Sequence, residues 1–321
     1  MIPFAIAGIQ MNVAALHENV SAMSHKIDLA MLRFPWVQMI LFSELAPYGP
    51  VPENHPANLD EVLAVFQEKA RQHNVWIIPG SMFVRSEDKL YNEAVVINPA
   101  GEVVARYRKM FPFAPYEHGV TGGSECLVFD VPDVGRFGLS ICYDIWFPET
   151  MRQLTAMGAE VLLHPVLTGT IDRDVELSIA RSSAAMFQCY IFDINGLGAG
   201  GVGRSLVVGP AGNLIYQSAG QEEIIPIEVD FETVRRQRAT GLRGLGQTLK
   251  SFRDGNAEFP VYQPGYQSDY LDSLGELGMP LQGTREGIGV PEPAKTMPLQ
   301  TVSDQPNFDP RVVQAITGGI D

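Results

Sequence analysis

The chain alternates short apolar runs with segments whose apolar positions recur every three or four residues. Residues 3–11 read as a strand and 17–33 as a helix. Val37-Gln-Met-Ile-Leu-Phe42 is a nearly continuous apolar run ending in Ser43-Glu44, the pattern of a strand buried on both faces. In residues 59–73, Leu59, Val62, Leu63, Phe66 and Ala70 share one helical face. Asn58 stands at the N-cap position, and Asp60 and Glu61 occupy the first turn. Val75-Trp-Ile-Ile-Pro79 predicts another buried strand.

The middle of the chain changes its period. Residues 92–98 and 102–107 flank Asn98-Pro-Ala-Gly101 and predict a hairpin. Strands are predicted at 126–131, 136–142, 160–164 and 189–194, with helices at 148–157 and 173–188. A second hairpin, 205–209 with 214–217, turns on Gly209-Pro-Ala-Gly212. Alternation interrupted by hairpins predicts an α/β fold of four layers, α-β-β-α, in which two mixed sheets are covered by helices. After about residue 231 the texture shifts. Arg235, Arg236, Arg238, Arg243, Lys250 and Arg253 occur with no acid between Thr233 and Arg253, and 260–321 is rich in Pro and Gly. The expected organisation is a folded domain over 1–250 and an extended tail over 251–321 that contacts a neighbouring subunit.

Composition narrows the partners. With 321 residues, 45% of them hydrophobic, the chain can bury a large core. A net charge of −14 repels phosphate backbones and anionic lipids, so nucleic acid and membrane partners are not expected. No uncharged apolar run reaches the ~18–20 residues of a membrane span. The apolar start, Met1-Ile-Pro-Phe, reads as a strand rather than a signal peptide. Cys126, Cys142 and Cys189 have neither disulfide nor metal spacing, and the six histidines do not cluster, so a reducing cytoplasm and a metal-free site are expected. Asn19-Val-Ser is treated as a chance sequon. Gly196-Leu-Gly-Ala-Gly-Gly201 fits a dinucleotide fingerprint, but a strand follows it where a helix is required.

Some residues can carry chemistry. Cys142 ends the strand Phe137-Gly-Leu-Ser-Ile-Cys142 and opens a turn into a helix, where unpaired N–H groups lower a thiol pKa and can hold an oxyanion. Taken alone, a lone cysteine is more commonly a buried structural residue. Glu44 closes the most apolar strand, and desolvation there makes a carboxylate a usable base. Lys109, among aromatic residues in Arg106-Tyr-Arg-Lys-Met-Phe111, can stabilise an oxyanion; Glu117 can orient it. His118 or His164 could pair with a cysteine, a weaker arrangement than the Glu44 base. Tyr107, Phe111, Phe113 and Tyr116 read as pocket wall. The Arg-rich stretch reads as a solvated or intersubunit segment.

Taken together, Phe42-Ser-Glu44, Arg108-Lys109 through Phe111-Pro112, and Gly138-Leu-Ser-Ile-Cys142-Tyr-Asp-Ile-Trp-Phe-Pro-Glu149 resemble the nitrilase (carbon–nitrogen hydrolase) superfamily. Gly158-Ala-Glu-Val-Leu-Leu-His-Pro165, Asn195-Gly196 and Gly203 to Gly212 continue the likeness, which covers roughly residues 1–250 in order. The resemblance implies Glu44 as general base, Lys109 as oxyanion stabiliser, Cys142 as nucleophile and Glu117 as assisting carboxylate. The Tyr143 N–H would complete the oxyanion hole. No metal or organic cofactor is implied, and a homodimer or larger homo-oligomer is.

Tyr143-Asp144 replaces the Trp-Glu that nitrile-cleaving members carry after the cysteine, which is more like the amidase and carbamoylase branches. Two departures bear on substrate. His164 stands where relatives often have Asn, and 172–183 lacks their Trp-Glu before the following helix. Tyr143, Trp146, His164 and Leu167 are the expected pocket residues, favouring a partly apolar acyl group. The expected activity is hydrolysis of a small linear carboxamide with release of ammonia. The rivals are an N-carbamoyl hydrolase, a nitrile hydrolase, an acyltransferase and a non-catalytic binding subunit.

Overall fold

Side chains that alternate along a strand reach opposite faces of its sheet. Here both faces are apolar. Phe4 and Ile6 join one core cluster while Ala5, Ala7 and Ile9 join another. Met39 and Leu41 divide from Ile40 and Phe42 in the same way. That division explains the unbroken apolar runs of the sequence: each central strand needs cover on both sides.

The computed structural model describes residues 3–114 and 116–278. Among these residues, a seven-stranded sheet runs in the order Glu223–Val229, Phe4–Gln10, Met39–Phe42, Trp76–Ile78, Lys89–Ile97, Ser81–Ser86, with Val103–Arg108 also paired to Lys89–Ile97. A six-stranded sheet runs in the order Leu214–Gln217, Leu206–Val208, Tyr190–Asn195, Val161–Val166, Gly135–Leu139, Leu127–Val131. The central three strands of each are parallel and the outer pairings are antiparallel, so both sheets are mixed. Phe4, Met39 and Leu41 of one sheet pack with Phe137, Leu163 and Phe192 of the other in a single core between them. The helices Val20–Arg33 and Leu59–His73 cover the outer face of the first sheet. Pro148–Ala156 and Arg173–Phe187 cover that of the second. The fold is the expected α-β-β-α sandwich.

Local chemistry sets the boundaries. The Asn58 side chain caps its helix by accepting from the Asp60 N–H at 3.1 Å, and Asn74 closes it at φ 53°. Two of the longer strands escape the sequence pattern: Ser81–Ser86, which begins beside Gly80, and Glu223–Val229, which returns from far along the chain to pair with Phe4–Gln10. The glycine-rich 196–201 folds into a small hairpin, Leu197–Gly198 with Gly201–Val202, and not into a nucleotide-binding turn. One unit extends to Asn256 and a second begins at Ala257. The helix Thr248–Asp254 belongs to the first, so it spans the expected boundary at 250. Most of the tail expected at 251–321 lies outside the described residues. No helix of the described residues is long and apolar enough to cross a membrane.

The parallel strands point their carboxyl ends in one direction. Phe42, Leu139 and Val166 all end there, so Glu44, Cys142 and Leu167 emerge at one rim. Lys109 follows the end of Val103–Arg108, a strand with the same direction as Trp76–Ile78 because two antiparallel steps separate them. At this rim Gly80 lies at φ +76°, and a Cβ added there would stand 1.8 Å from the Ser43 backbone oxygen. Gly80→Ala therefore combines backbone strain with a clash that no rotamer relieves. It is expected to lower stability by about 3 kcal/mol or more, read as a drop in the denaturant midpoint.

Candidate active site

Cys142 sits at the start of a single helical turn, Cys142–Trp146, which Ser140 and Ile141 separate from the strand Gly135–Leu139, so the strand ends before the expected residue 142. Its φ is +45°, a conformation that disfavours side chains bearing a Cβ. Asp144 holds this elbow in place. Its fully buried carboxylate accepts from the Ile141 N–H at 2.9 Å, the Tyr107 hydroxyl at 2.7 Å and the Phe111 N–H at 2.9 Å. Those bonds tie the elbow to the segment that carries Lys109. Burial raises the Asp144 pKa to about 6 against the pull of these donors.

Three charged groups converge beside the thiol. Lys109, 2% exposed, donates from Nζ to Glu44 Oε1 at 2.8 Å and to Glu117 Oε2 at 2.7 Å. Asn92 bridges the same carboxylates, its Nδ2 lying 2.9 Å from Glu44 Oε1 and 3.1 Å from Glu117 Oε1. The Leu167 N–H donates to Glu44 Oε2 at 3.1 Å. The sulfur lies 3.8 Å from Thr168 Oγ1, which in turn donates to Glu176 at 3.0 Å.

Burial and pairing set the protonation. Burial pushes the Glu44 pKa up; Lys109 pulls it down and Glu117 pushes it further up, with a net rise. Burial alone would lower the Lys109 pKa, but Glu44, Cys142 and Glu117 outweigh it and keep the ammonium charged. Burial raises the Cys142 pKa well above that of a free thiol; Glu44 adds to the rise and Lys109 opposes it. These influences favour the thiol over the thiolate in the resting site.

A cavity of about 250 Å³ opens onto Cys142. Tyr143, Trp146 and Leu167 line it, together with Phe113, Thr168 and Glu176. His164 does not line it. The period of its strand turns His164 to the helix side with Leu162, where it is 1% exposed and lies 2.8 Å through Nδ1 from the Ser140 hydroxyl. A pocket role for His164 is thus corrected to a position beneath the elbow. Thr168 closes the stretch from His164 that was expected at the pocket, and Asp144 was noted only as the residue after Tyr143; Asn92 and Glu176 were not singled out. Asn92 and Asp144 did carry a signal, as polar residues within otherwise buried segments. Glu176 carried none. A larger, more open cleft of about 690 Å³, lined by Trp76, Phe129 and Val131, lies at the amino ends of the parallel strands and holds no nucleophile. Among the described residues no His, Cys, Asp and Glu set comes together as metal ligands.

Comparison with known proteins places this geometry in context. Residues 5–239 match the carbon-nitrogen hydrolase family. The 2-oxoglutaramate amidase of Bacillus subtilis (strain 168) is 30% identical over 190 residues, covering 55% of this chain and 73% of that protein. The crystal structure of Saccharomyces cerevisiae Nit3, described as a member of branch 10 of the nitrilase superfamily, superposes with a TM-score of 0.68 at 22% identity. It covers 74% of this chain and 93% of Nit3. A variant of the amidase from Nesterenkonia sp. AN1, with the acetamide moiety of fluoroacetamide added covalently at its active-site cysteine, gives a TM-score of 0.65 at 22% identity, covering 75% and 95%.

Burial lowers the His164 pKa to about 4, from 6.5 for a free ring. Between those values the unfolded chain binds a proton that the folded chain refuses, so stability falls as the pH drops from 6.5 towards 4. This ring is expected to contribute about 3 kcal/mol of that loss. His164→Asn should flatten the acid limb of a pH–stability curve by that amount.

Proposed function

Since the chain belongs to the carbon–nitrogen hydrolase family of the nitrilase superfamily and is an amidase-type enzyme, we propose that it hydrolyses a small linear carboxamide to a carboxylic acid and ammonia through a thioester on Cys142. The observation that carries this reading is the buried ion pair of Glu44 with Lys109, two charges that both act on the Cys142 thiol. Cys142 opens onto one small cavity, and Glu44 and the Lys109 ammonium are paired in the buried interior.

The steps follow from the positions. Glu44 takes the thiol proton as the sulfur bonds to the amide carbon, so no free thiolate has to exist in the apolar interior. The carbonyl oxygen becomes an oxyanion facing the Lys109 ammonium and the Tyr143 N–H, which begins a helical turn and has no partner within it. Glu44 returns its proton to the nitrogen, the C–N bond breaks and ammonia leaves. Water then gives a proton to Glu44 and adds to the thioester. Collapse of the second adduct releases the acid and restores the thiol. Glu117 and Asn92 keep Lys109 and Glu44 at fixed spacing throughout. The covalent adduct described for the Nesterenkonia amidase supports a cysteine-bound intermediate in this chain. The same reading takes the protein as a cytoplasmic homo-oligomer whose residues 251–321 reach a neighbouring copy.

Cys142→Ala is expected to reduce ammonia release from an amide panel by about 10⁴-fold or more, with little change in the unfolding midpoint. Glu44→Gln should lower kcat by about 10²–10⁴-fold. In the wild type, intact-mass measurement after rapid quenching should find an acyl group on Cys142. Undiminished turnover in Cys142→Ala would refute the mechanism.

A further inference from the structure

The cavity above Cys142 carries an uneven set of charges. Phe113, Tyr143 and Trp146 form an aromatic wall, with ring centroids 5.0 Å apart for the first pair and 6.0 Å for the second. Glu176 lines the same cavity at 5% exposure, accepting from Thr168 Oγ1 at 3.0 Å and lying 3.5 Å from Trp146 Nε1. Asp172 lines it as well, and among the described residues no Lys, Arg or His does.

The cations behind the wall are already engaged. Arg173 is held by Asp193 at 2.6 Å and by Glu176 at 3.3 Å. Lys109 is held between Glu44 and Glu117. Glu44, Glu117, Asp193 and Glu176 thus pair with only two cations, Lys109 and Arg173, an excess of acid before Asp172 is added. A substrate carboxylate entering here would meet Glu176 with no free counter-ion. A substrate ammonium would meet a carboxylate and the faces of aromatic rings, the combination that attracts cations most strongly once water is excluded.

We propose that this cavity selects amides whose acyl chain bears a positively charged amine and rejects those ending in a carboxylate, with Glu176 as the residue that sets the preference. The inference rests on the amide-hydrolysis reading above and names its substrate class. It also separates this chain from the Bacillus subtilis relative, whose named substrate, 2-oxoglutaramate, carries a carboxylate. A volume of about 250 Å³ suits a short chain.

Three amides of similar length test it: 4-aminobutanamide, pentanamide and succinamate, which end in an ammonium, a methyl group and a carboxylate. The kcat/KM values are expected to fall in that order, with at least about tenfold between ammonium and carboxylate. In Glu176→Gln that ratio should shrink by about tenfold; because it is a ratio within one variant, a general loss of activity cancels. Calorimetric binding of the same amides to Cys142→Ala should show the same order without turnover. Succinamate binding or reacting as well as 4-aminobutanamide, or a ratio unmoved by Glu176→Gln, would overturn the proposal. Should none of the three release ammonia while Cys142→Ala still binds 4-aminobutanamide best, the selectivity stands and the catalytic reading fails.

Discussion

Lys109 brings a positive charge into an interior that offers no water, and two carboxylates meet it there. A buried ion of this kind is stable only while its partners stay in place, and removing one of them typically costs about 3–5 kcal/mol. Glu44 comes from the end of one strand, Lys109 from the end of another and Glu117 from the loop that follows. The electrostatic demand of one ammonium therefore fixes the relative position of three separate segments. Asn92, placed between the two carboxylates, leaves them little freedom to rotate.

The same cluster governs the thiol. In a medium of low dielectric a thiolate needs compensation, and Lys109 offers some, but its charge is already shared by Glu44 and Glu117. The balance keeps Cys142 protonated and leaves Glu44 with a raised proton affinity beside it. A nucleophile of this sort forms only when a substrate is present to take the electron pair. That arrangement protects the sulfur from idle reaction and couples proton transfer to bond formation.

Two structural constraints make the convergence possible. The sheets pack face to face and approach closely where Gly8 meets Ile194; a Cβ at Gly8 would stand 2.2 Å from that side chain. The strand carrying Cys142 must also end abruptly, at a positive φ that hydrogen bonds to Asp144 hold in place. Asp144 reaches across to Phe111 and Tyr107, so the elbow and the lysine segment move as one body. Strain at the nucleophile is thus carried by a buried carboxylate that itself performs no chemistry.

Much of this was legible along the chain. The doubly buried strands, the helix from Leu59 to His73 with its Asn58 cap, and the hairpin around Asn98 to Gly101 follow from local pattern and local hydrogen bonding, which the sequence encodes directly. Glu44, Lys109 and Cys142 stood out as polar groups at or just beyond the ends of apolar strands, while Glu117, in a loop, was marked by the family resemblance. Three things depended on the tertiary structure. Glu223–Val229 joins the first sheet only because a partner some two hundred residues away presents a free edge. His164 points beneath the elbow because the phase of its strand relative to the two cores decides its side. The negative character of the cavity arises because Glu176 and Asp172 face it while Arg173 turns inward to Asp193. Local sequence fixes which residues can be buried and where elements begin; which charges meet depends on distances between segments that only the packed fold defines.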